Sequence, residues 1–515
     1  MGLNGTPTNP INLRQLLEAR VRQAPDKLFV FSEADGSRFT YSEFDAAVNR
    51  VSHLLKSQGV KKGSVVSLLL PNSVDYLIAY FACWKLGAIA GPVNSQLKEQ
   101  EIGYVISNSE ACCVLAHPNL LPRVHGIAEE LPHLRSLIAF ADEATATANI
   151  DVRMPPDTVE VGPEDEAIII YTSGTTGRPK GCLLTHGNVT ANARQISDWL
   201  KFTPKDRLLT LMPLFHMNAV SVTTMATLHA GGSTVVSPKF STSRFWQTIA
   251  DYEITSFGSV ATMLSLLLKA FPNGVPPGLN TSQLRFAMCG SAPVPAEVLK
   301  RFEETFGCLV IEGYGLSEST CRSTFNPPDE RRRPGSCGLP IGNEMRIVDE
   351  DGVEVADGTL GEIILRGENI LKGYFNNPEA DAAAFRNGWF YTGDVGYRDR
   401  NGFYYIVDRK SDMIIRAGEN IYPREVDEVL YHHPAVAAAA TIGVPDQLYG
   451  EEVAAFVVLK EKTLATEEEL IDFCKQFLAD YKCPKTVQFI KEIPKGPTGK
   501  LLKRELHESI GKSGG

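Results

Sequence analysis

Apolar and polar positions alternate between two periods along most of the chain. After Thr40-Tyr41-Ser42-Glu43, the residues Phe44, Val48, Val51 and Leu55 recur at the spacing of one helix face. Thr40 with Glu43 makes a capping box, which predicts where that helix starts. Ser64 to Leu70 is then a short apolar run closed by Pro71-Asn72, the pattern of a buried strand. Asp75 to Leu86 reads as helix again, and Ala88 to Val93 is again short and mainly apolar. Alternation of this kind predicts α/β layers around mostly parallel sheet.

The pattern changes near residue 340. Met345 to Val348, Glu362 to Leu365 and Phe403 to Val407 are short strand patterns, with Asp351-Gly352, Asp357-Gly358 and Asn401-Gly402 as turns. A β-rich subdomain of antiparallel hairpins is expected there. A boundary falls near Asp408-Arg409-Lys410-Ser411. Beyond it, helices over 423–431 and 466–479 are expected among strands over 437–442, 453–459 and 487–490. The expected fold class is α/β. A large N-terminal domain (1–408) has layered sheets and helices with a β-rich subdomain, and a small α+β domain (409–515) follows.

Composition narrows this little. A chain of 515 residues exceeds one ordinary core. The net charge of −10 argues against nucleic-acid binding, which wants a basic face. It leaves room for anionic ligands held locally by backbone N–H groups and a few cations. The ten cysteines are scattered without a CxxC pair, so reduced thiols are expected rather than a disulfide scaffold or a zinc ribbon. The longest apolar stretch, Leu77 to Val93, is interrupted by Lys85 and Pro92, and no membrane span is expected. Without a signal-peptide pattern, a soluble cytoplasmic enzyme is the default. A homodimer stays open.

The densest chemical signal follows the apolar strand Ala167 to Ile170. In Tyr171-Thr172-Ser173-Gly174-Thr175-Thr176-Gly177-Arg178-Pro179-Lys180-Gly181, four Ser/Thr hydroxyls, three glycines and two cations occupy eleven positions. Glycines let backbone N–H groups approach an anion, and hydroxyls and cations neutralise phosphate charge. The spacing is not that of a Walker A loop, since Gly174 and Gly177 are too close and no Ser or Thr follows Lys180.

Seven further motifs follow in order. They are Pro213-Leu214-Phe215-His216, Gly290-Ser291-Ala292-Pro293 and Glu312-Gly313-Tyr314-Gly315-Leu316-Ser317-Glu318, then Gly388-Trp389-Phe390-Tyr391-Thr392-Gly393-Asp394, Asp408-Arg409-Lys410, Gly418-Glu419-Asn420-Ile421-Tyr422-Pro423 and Pro497-Thr498-Gly499-Lys500. In order and rough spacing the chain resembles the adenylate-forming superfamily across nearly its whole length. That superfamily contains acyl-CoA synthetases, aryl-CoA ligases, firefly-type luciferases and peptide-synthetase adenylation domains, and the likeness is nearest to bacterial-type acyl-CoA ligases.

The resemblance implies a two-step reaction using ATP, Mg²⁺ and coenzyme A. A small-molecule carboxylic acid and ATP give acyl-AMP and pyrophosphate. Rotation of the small domain then admits CoA, which takes the acyl group and releases AMP. By resemblance, the loop of Thr172, Ser173, Gly174, Thr175, Thr176, Gly177 and Lys180 holds the triphosphate. Tyr314 packs on adenine opposite Gly290, Ser291 and Ala292, with Glu312, Gly313, Gly315 and Ser317 in the same nucleotide site. Glu318, with Thr172, is the expected magnesium site. Asp394 and Arg409 meet the ribose, and His216 stands where the ATP and acid sites join. Gly418 leaves room for the pantetheine arm of CoA, and Tyr481 is a stacking partner for its adenine. Lys500, on the family's mobile loop, is the expected adenylation residue, because charge gathers on the α-phosphate oxygens as the carboxylate attacks.

Two positions depart from the family pattern. Ser411 stands at the hinge where relatives have Asp or Lys. Arg416-Ala417-Gly418 replaces Ser-Gly-Gly, which puts a positive charge near the pantetheine tunnel, open to CoA phosphate or to solvent. Cys483 also stands where some relatives place a phosphate-binding arginine. The acid pocket implied by resemblance involves Met217, Ser259 to Met263, Met288, Gly313, Leu316 and Cys321. These are mostly apolar or small and suit a fatty, aryl or carnitine-like monocarboxylate. Two other readings stay open: a stand-alone adenylation enzyme that loads a carrier protein, and a non-catalytic relative that binds nucleotide or acyl groups.

Overall fold

The computed structural model describes residues 10–150, 156, 159–172, 179–290, 296–417, 419–495 and 501–512. The capping box is present: Thr40 Oγ1 accepts from Glu43 N at 3.1 Å and Glu43 Oε2 accepts from Thr40 N at 2.7 Å. It starts helix Tyr41–Ser57, whose buried face carries Phe44, Val48, Val51 and Leu55.

Two seven-stranded sheets build the large part of the chain. The first runs Leu309–Glu312, Phe286–Cys289, Ser256–Ser259, Arg207–Thr210, Ser233–Val236, Leu28–Ser32, Arg38–Thr40. All its pairs are parallel except the last. The second runs Gly373–Tyr374, Lys180–Thr185, Glu166–Thr172, Ile89–Pro92, Val65–Leu69, Cys113–Ala116, Ser136–Ala139. Its first two pairs are antiparallel, because Glu166–Thr172 and Lys180–Thr185 form a hairpin across the glycine-rich loop. The sequence pattern had not marked the second strand of that hairpin.

Helix Val74–Lys85 ties the layers together. Its side chains are buried all round, so it shows no amphipathic stripe. Trp84 Nε1 donates to the Ala167 carbonyl at 3.0 Å, and Tyr80 Oη donates to that of Leu214 at 2.8 Å. Each such fully buried apolar body stabilises the fold by about 1.5–3 kcal/mol. Lys85, the residue that broke the apolar stretch, is itself buried. Its Nζ lies 2.7 Å from Asp45 Oδ1 and donates to Asn49 Oδ1. Among the described residues no helix is long and apolar enough to cross a membrane. All ten cysteines are free thiols, and eight are buried.

The hairpins expected after residue 340 form an antiparallel sheet of Glu344–Val348, Gly361–Arg366, Trp389–Arg398, Phe385–Arg386 and Tyr404–Arg409. Past Lys410–Asp412, a one-turn 3₁₀ segment, lies a separate sheet. Strands Val436–Asp446 and Gly450–Leu459 pair along their full length, and Thr486–Phe489 joins in parallel. Helix Pro423–His432 packs against it. The other helix, Glu467–Lys475, ends earlier than the pattern predicts, since Phe477 and Leu478 turn back to the Cys474 carbonyl. Two hydrophobic clusters, one around Val426, Leu430 and Val457 and one around Ala440 and Phe456, belong to this part alone.

Candidate active site

Asp394 and Arg409 are cross-strand neighbours on Trp389–Arg398 and Tyr404–Arg409. Gly393 takes φ +72°, a left-handed turn in mid-strand, and donates its N–H to Glu362 Oε1 at 3.1 Å. Asp394 is 5 % exposed. Its Oδ2 accepts the Tyr314 hydroxyl at 2.6 Å, and its Oδ1 lies 3.3 Å from Arg409 Nε. Burial, and then the Asp394 charge, push the Tyr314 phenol well above its ordinary range. Three residues from separate motifs thus meet on one wall.

Tyr314 follows strand Leu309–Glu312, where the chain packs too closely for side chains. A Cβ on Gly313 would lie 2.5 Å from the Phe325 ring, and one on Gly315 would lie 2.0 Å from the Cys321 carbonyl. A Cβ on Gly290 would lie 2.7 Å from both Arg322 Nη2 and the Gly313 carbonyl. Glu312 turns its carboxyl away from the wall, where both oxygens accept Gly335 N at 3.1 Å. Burial pushes it up to about 8.

Glu318 and Ser317 begin a tight turn, Ser317–Ser319. The following Thr320 sits at φ +63°, which costs a β-branched residue about 1–3 kcal/mol. Its hydroxyl donates to the Asn369 carbonyl at 2.7 Å, and Asn369 Nδ2 returns to the Ser319 carbonyl at 3.2 Å. Glu318 Oε1 accepts the Tyr374 hydroxyl at 3.1 Å. Lys180 Nζ stands 5.4 Å from the centre of the Tyr374 ring. Thr172 pairs with Lys180 across the hairpin, and its Oγ1 lies 3.8 Å from Cys182 Sγ. Burial, then the nearby Glu318 charge, raise that thiol. Thr172, Lys180 and Glu318 therefore share a second wall, and Tyr374, which no motif announced, joins them. A hydroxyl and a carboxylate beside phosphate oxygens suit a hard divalent cation.

His216 follows Leu214, whose N–H is fixed by Asn72 Oδ1 at 2.7 Å. Its ring lies 4.5 Å from that of Phe215, and Nε2 is buried without a hydrogen-bond partner. Burial pushes His216 down to about 4, so it is neutral at pH 7. A π-helix, Asn218–Met225, comes next; such turns gather at functional sites.

In the C-terminal part, Tyr481 packs against the cluster around Val426 and Leu430. Arg416 is paired with Glu452, and its guanidinium lies 4.1 Å from the Tyr449 ring centre. Both partners are its own domain's, so neither solvent nor phosphate is needed to account for it. Lys495 bridges Leu501, and its Nζ donates to Thr262 Oγ1 of the large part at 3.3 Å. Lys269 and Glu461 make a second contact between the two parts at 2.7 Å. Ser411 is exposed at the junction and donates to Asp412 Oδ1 at 3.2 Å. Ser173, Gly174, Thr175, Thr176, Gly177, Ser291, Ala292, Gly418 and Lys500 lie outside the described residues.

Comparison with known proteins agrees with these motifs. Residues 17–375 match the AMP-binding enzyme family model, and 425–500 match the AMP-binding enzyme C-terminal domain. Sulfoacetate–CoA ligase of Cupriavidus necator is 36% identical over 505 residues, covering 96% of this chain and 97% of that one. ATP-bound MatB from Rhodopseudomonas palustris superposes with a TM-score of 0.90 at 31% identity, covering 97% and 99% of the two chains. The o-succinylbenzoate CoA synthetase MenE of Bacillus subtilis, solved with its acyl-adenylate intermediate, gives 0.84 at 32%, covering 95% and 97%. The chain belongs to the AMP-binding, adenylate-forming enzyme family.

Proposed function

We propose that the chain is an ATP-dependent carboxylic acid–CoA ligase, an AMP-forming acid–thiol ligase working in two steps. The substrate carboxylate attacks the α-phosphorus of ATP; a P–O bond forms and pyrophosphate leaves. The CoA thiol then gives its proton to solvent and attacks the acyl carbonyl; a C–S bond forms, the acyl C–O bond to the phosphate breaks, and AMP leaves. The observation that carries this reading is the meeting of Tyr314, Asp394 and Arg409 on one wall and of Thr172, Lys180 and Glu318 on another.

In this proposal Asp394 accepts the ribose hydroxyls, with Arg409 holding its charge in place. Tyr314 presents its ring to adenine, on the wall where Gly290, Gly313 and Gly315 allow the close packing of Arg322, Phe325 and Cys321. Lys180, with the residues of the 172–180 loop, neutralises the leaving pyrophosphate. Thr172 and Glu318 hold Mg²⁺, which supplies positive charge to the phosphate oxygens. His216, neutral and with its Nε2 buried, positions the acid. A carboxylate has no proton to lose before it attacks, so no base is called for there. Lys500 supplies a cation to the α-phosphate. Lys495, by donating to Thr262 Oγ1, ties the C-terminal part to the large part. Residues 409–515 then turn about the Lys410–Asp412 segment for the second step, a closure that serves two reactions with one site. A cytoplasmic location belongs to the same proposal and rests on the ten free thiols.

The test is the thioester product. With ATP, an accepted acid and CoA, the enzyme releases AMP and acyl-CoA in equal amounts. Acylation of a carrier-protein thiol in preference to CoA would overturn the assignment of acceptor.

A further inference from the structure

Near the carboxyl ends of strands Ser256–Ser259, Phe286–Cys289 and Leu309–Glu312 lies a buried cation that the adenylation scheme does not use. Arg322 is 2 % exposed and is among the largest fully buried side chains. Its Nε and Nη2 have no hydrogen-bond partner, and the centre of the Phe325 ring lies 5.3 Å from Cζ. A guanidinium cannot shed its charge. Out of water, with Nε and Nη2 unpartnered, it weakens the fold unless something else supplies the missing oxygens.

The side chain springs from a fixed point. Asn192 Oδ1 accepts Arg322 N at 3.3 Å, and Asn192 Nδ2 donates to the Arg322 carbonyl at 2.7 Å. Asn369 Nδ2 donates to the same carbonyl at 3.3 Å. The guanidinium lies over Gly290, where a Cβ would come within 2.7 Å of Nη2. Gly290 follows Cys289, which pairs with Ser259, and Met288 pairs with Gly258. A Cβ on Gly258 would lie 3.1 Å from Asn218 Oδ1. Asn218 is buried with both polar side-chain atoms unpartnered, and Ser221 Oγ on the same π-helix is unpartnered too. Unsatisfied polar atoms therefore lie against two neighbouring strands of a parallel sheet, Arg322 at Gly290 just past one strand's carboxyl end and Asn218 at Gly258 near the other's, the end where open α/β folds take their ligands.

We propose that Arg322 reads a second anionic group on the substrate. The acid would carry, besides the carboxylate that is activated, another carboxylate or a sulfonate. The planar guanidinium takes its oxygens through paired N–H···O bonds, a geometry that both groups fit. Arg322 is then a specificity residue, and the pocket is not the apolar one suited to a plain monocarboxylate. This rests on the ligase reading above.

The experiment measures AMP release with ATP and CoA for three sets of acids matched in length: methyl-terminated monocarboxylates, α,ω-dicarboxylates and ω-sulfocarboxylates. The readout is the ratio of kcat/KM for an anion-terminated acid to that for its methyl-terminated match, in the native enzyme and in Arg322→Met. The native ratio is expected to exceed about tenfold, and the substitution to lower it on the order of a hundredfold. The dicarboxylate and sulfonate arms say which anion is taken. A native preference for the methyl-terminated acid overturns the inference while leaving the ligase reading intact. Equal losses on all sets in Arg322→Met overturn it too. If that variant does not fold, the native ratio alone decides. If no acid of any set releases AMP, the ligase reading fails, and the inference with it.

Discussion

Replacing Asp394 by Asn separates nucleotide binding from fold stability. The substitution keeps the shape but removes the charge that Arg409 faces at 3.3 Å, and it turns one acceptor oxygen into an NH₂ donor. Arg409 is about a third exposed, so solvent already screens that pair, and its loss costs the fold about 1 kcal/mol or less. The Tyr314 hydroxyl, 2.6 Å from Oδ2, can still find the amide oxygen. Binding suffers more. A carboxylate accepting two ribose hydroxyls makes charge-assisted bonds worth about 1.5–3 kcal/mol each. Losing roughly 3 kcal/mol of this raises KM for ATP on the order of a hundredfold. The assay is acid-dependent ATP–pyrophosphate exchange at varied ATP, with circular dichroism as the check on folding. A KM for ATP within twofold of native, in a folded variant, would refute the ribose role.

Three further outcomes are expected. Lys500→Ala lowers acyl-adenylate formation by several orders of magnitude but spares thioester formation from supplied acyl-adenylate; surviving pyrophosphate exchange contradicts the role given to Lys500. Gly315→Ala drives a methyl into the Cys321 carbonyl and shifts the Cys321–Arg322 backbone. It costs about 1–3 kcal/mol and raises KM for the acid, read by urea midpoint and steady-state kinetics. Burial holds His186 and His216 down at about 4, below the usual histidine value of 6.5. The unfolded chain therefore takes up protons first, and their contribution is lost as pH falls from about 6.5 through 4, by roughly 3 kcal/mol each. Urea midpoints for His216→Asn should show a shallower slope than native in that window; an unchanged slope contradicts it.

Much of the fold was legible because it follows from local rules. The helix after Thr40 is read from its capping box, and the turns at Asp351-Gly352 and Asp357-Gly358 announce their hairpins. What escaped depends on distant partners. Strand Lys180–Thr185 follows a polar glycine-rich loop and looks like its continuation until Glu166–Thr172 pairs with it. Tyr374 belongs to no motif, and only the short strand it forms with Cys182 brings it to Glu318. Arg322 is the sharpest case. An arginine is read as surface charge because full burial is rare, and nothing local says that Gly290 leaves it a floor. A glycine motif followed by a charged residue just past Ser317-Glu318 was the available signal. Glu312 errs the other way: it lies inside a nucleotide motif, yet its carboxyl serves the turn at Gly335.

The central claim is adenylation of a carboxylic acid, and acid-dependent exchange of labelled pyrophosphate into ATP, without CoA, tests it most directly. A panel of mono-, di- and sulfocarboxylates is expected to contain at least one acid that drives exchange in the native enzyme. Exchange absent with every acid, in folded protein that still binds ATP, would contradict it.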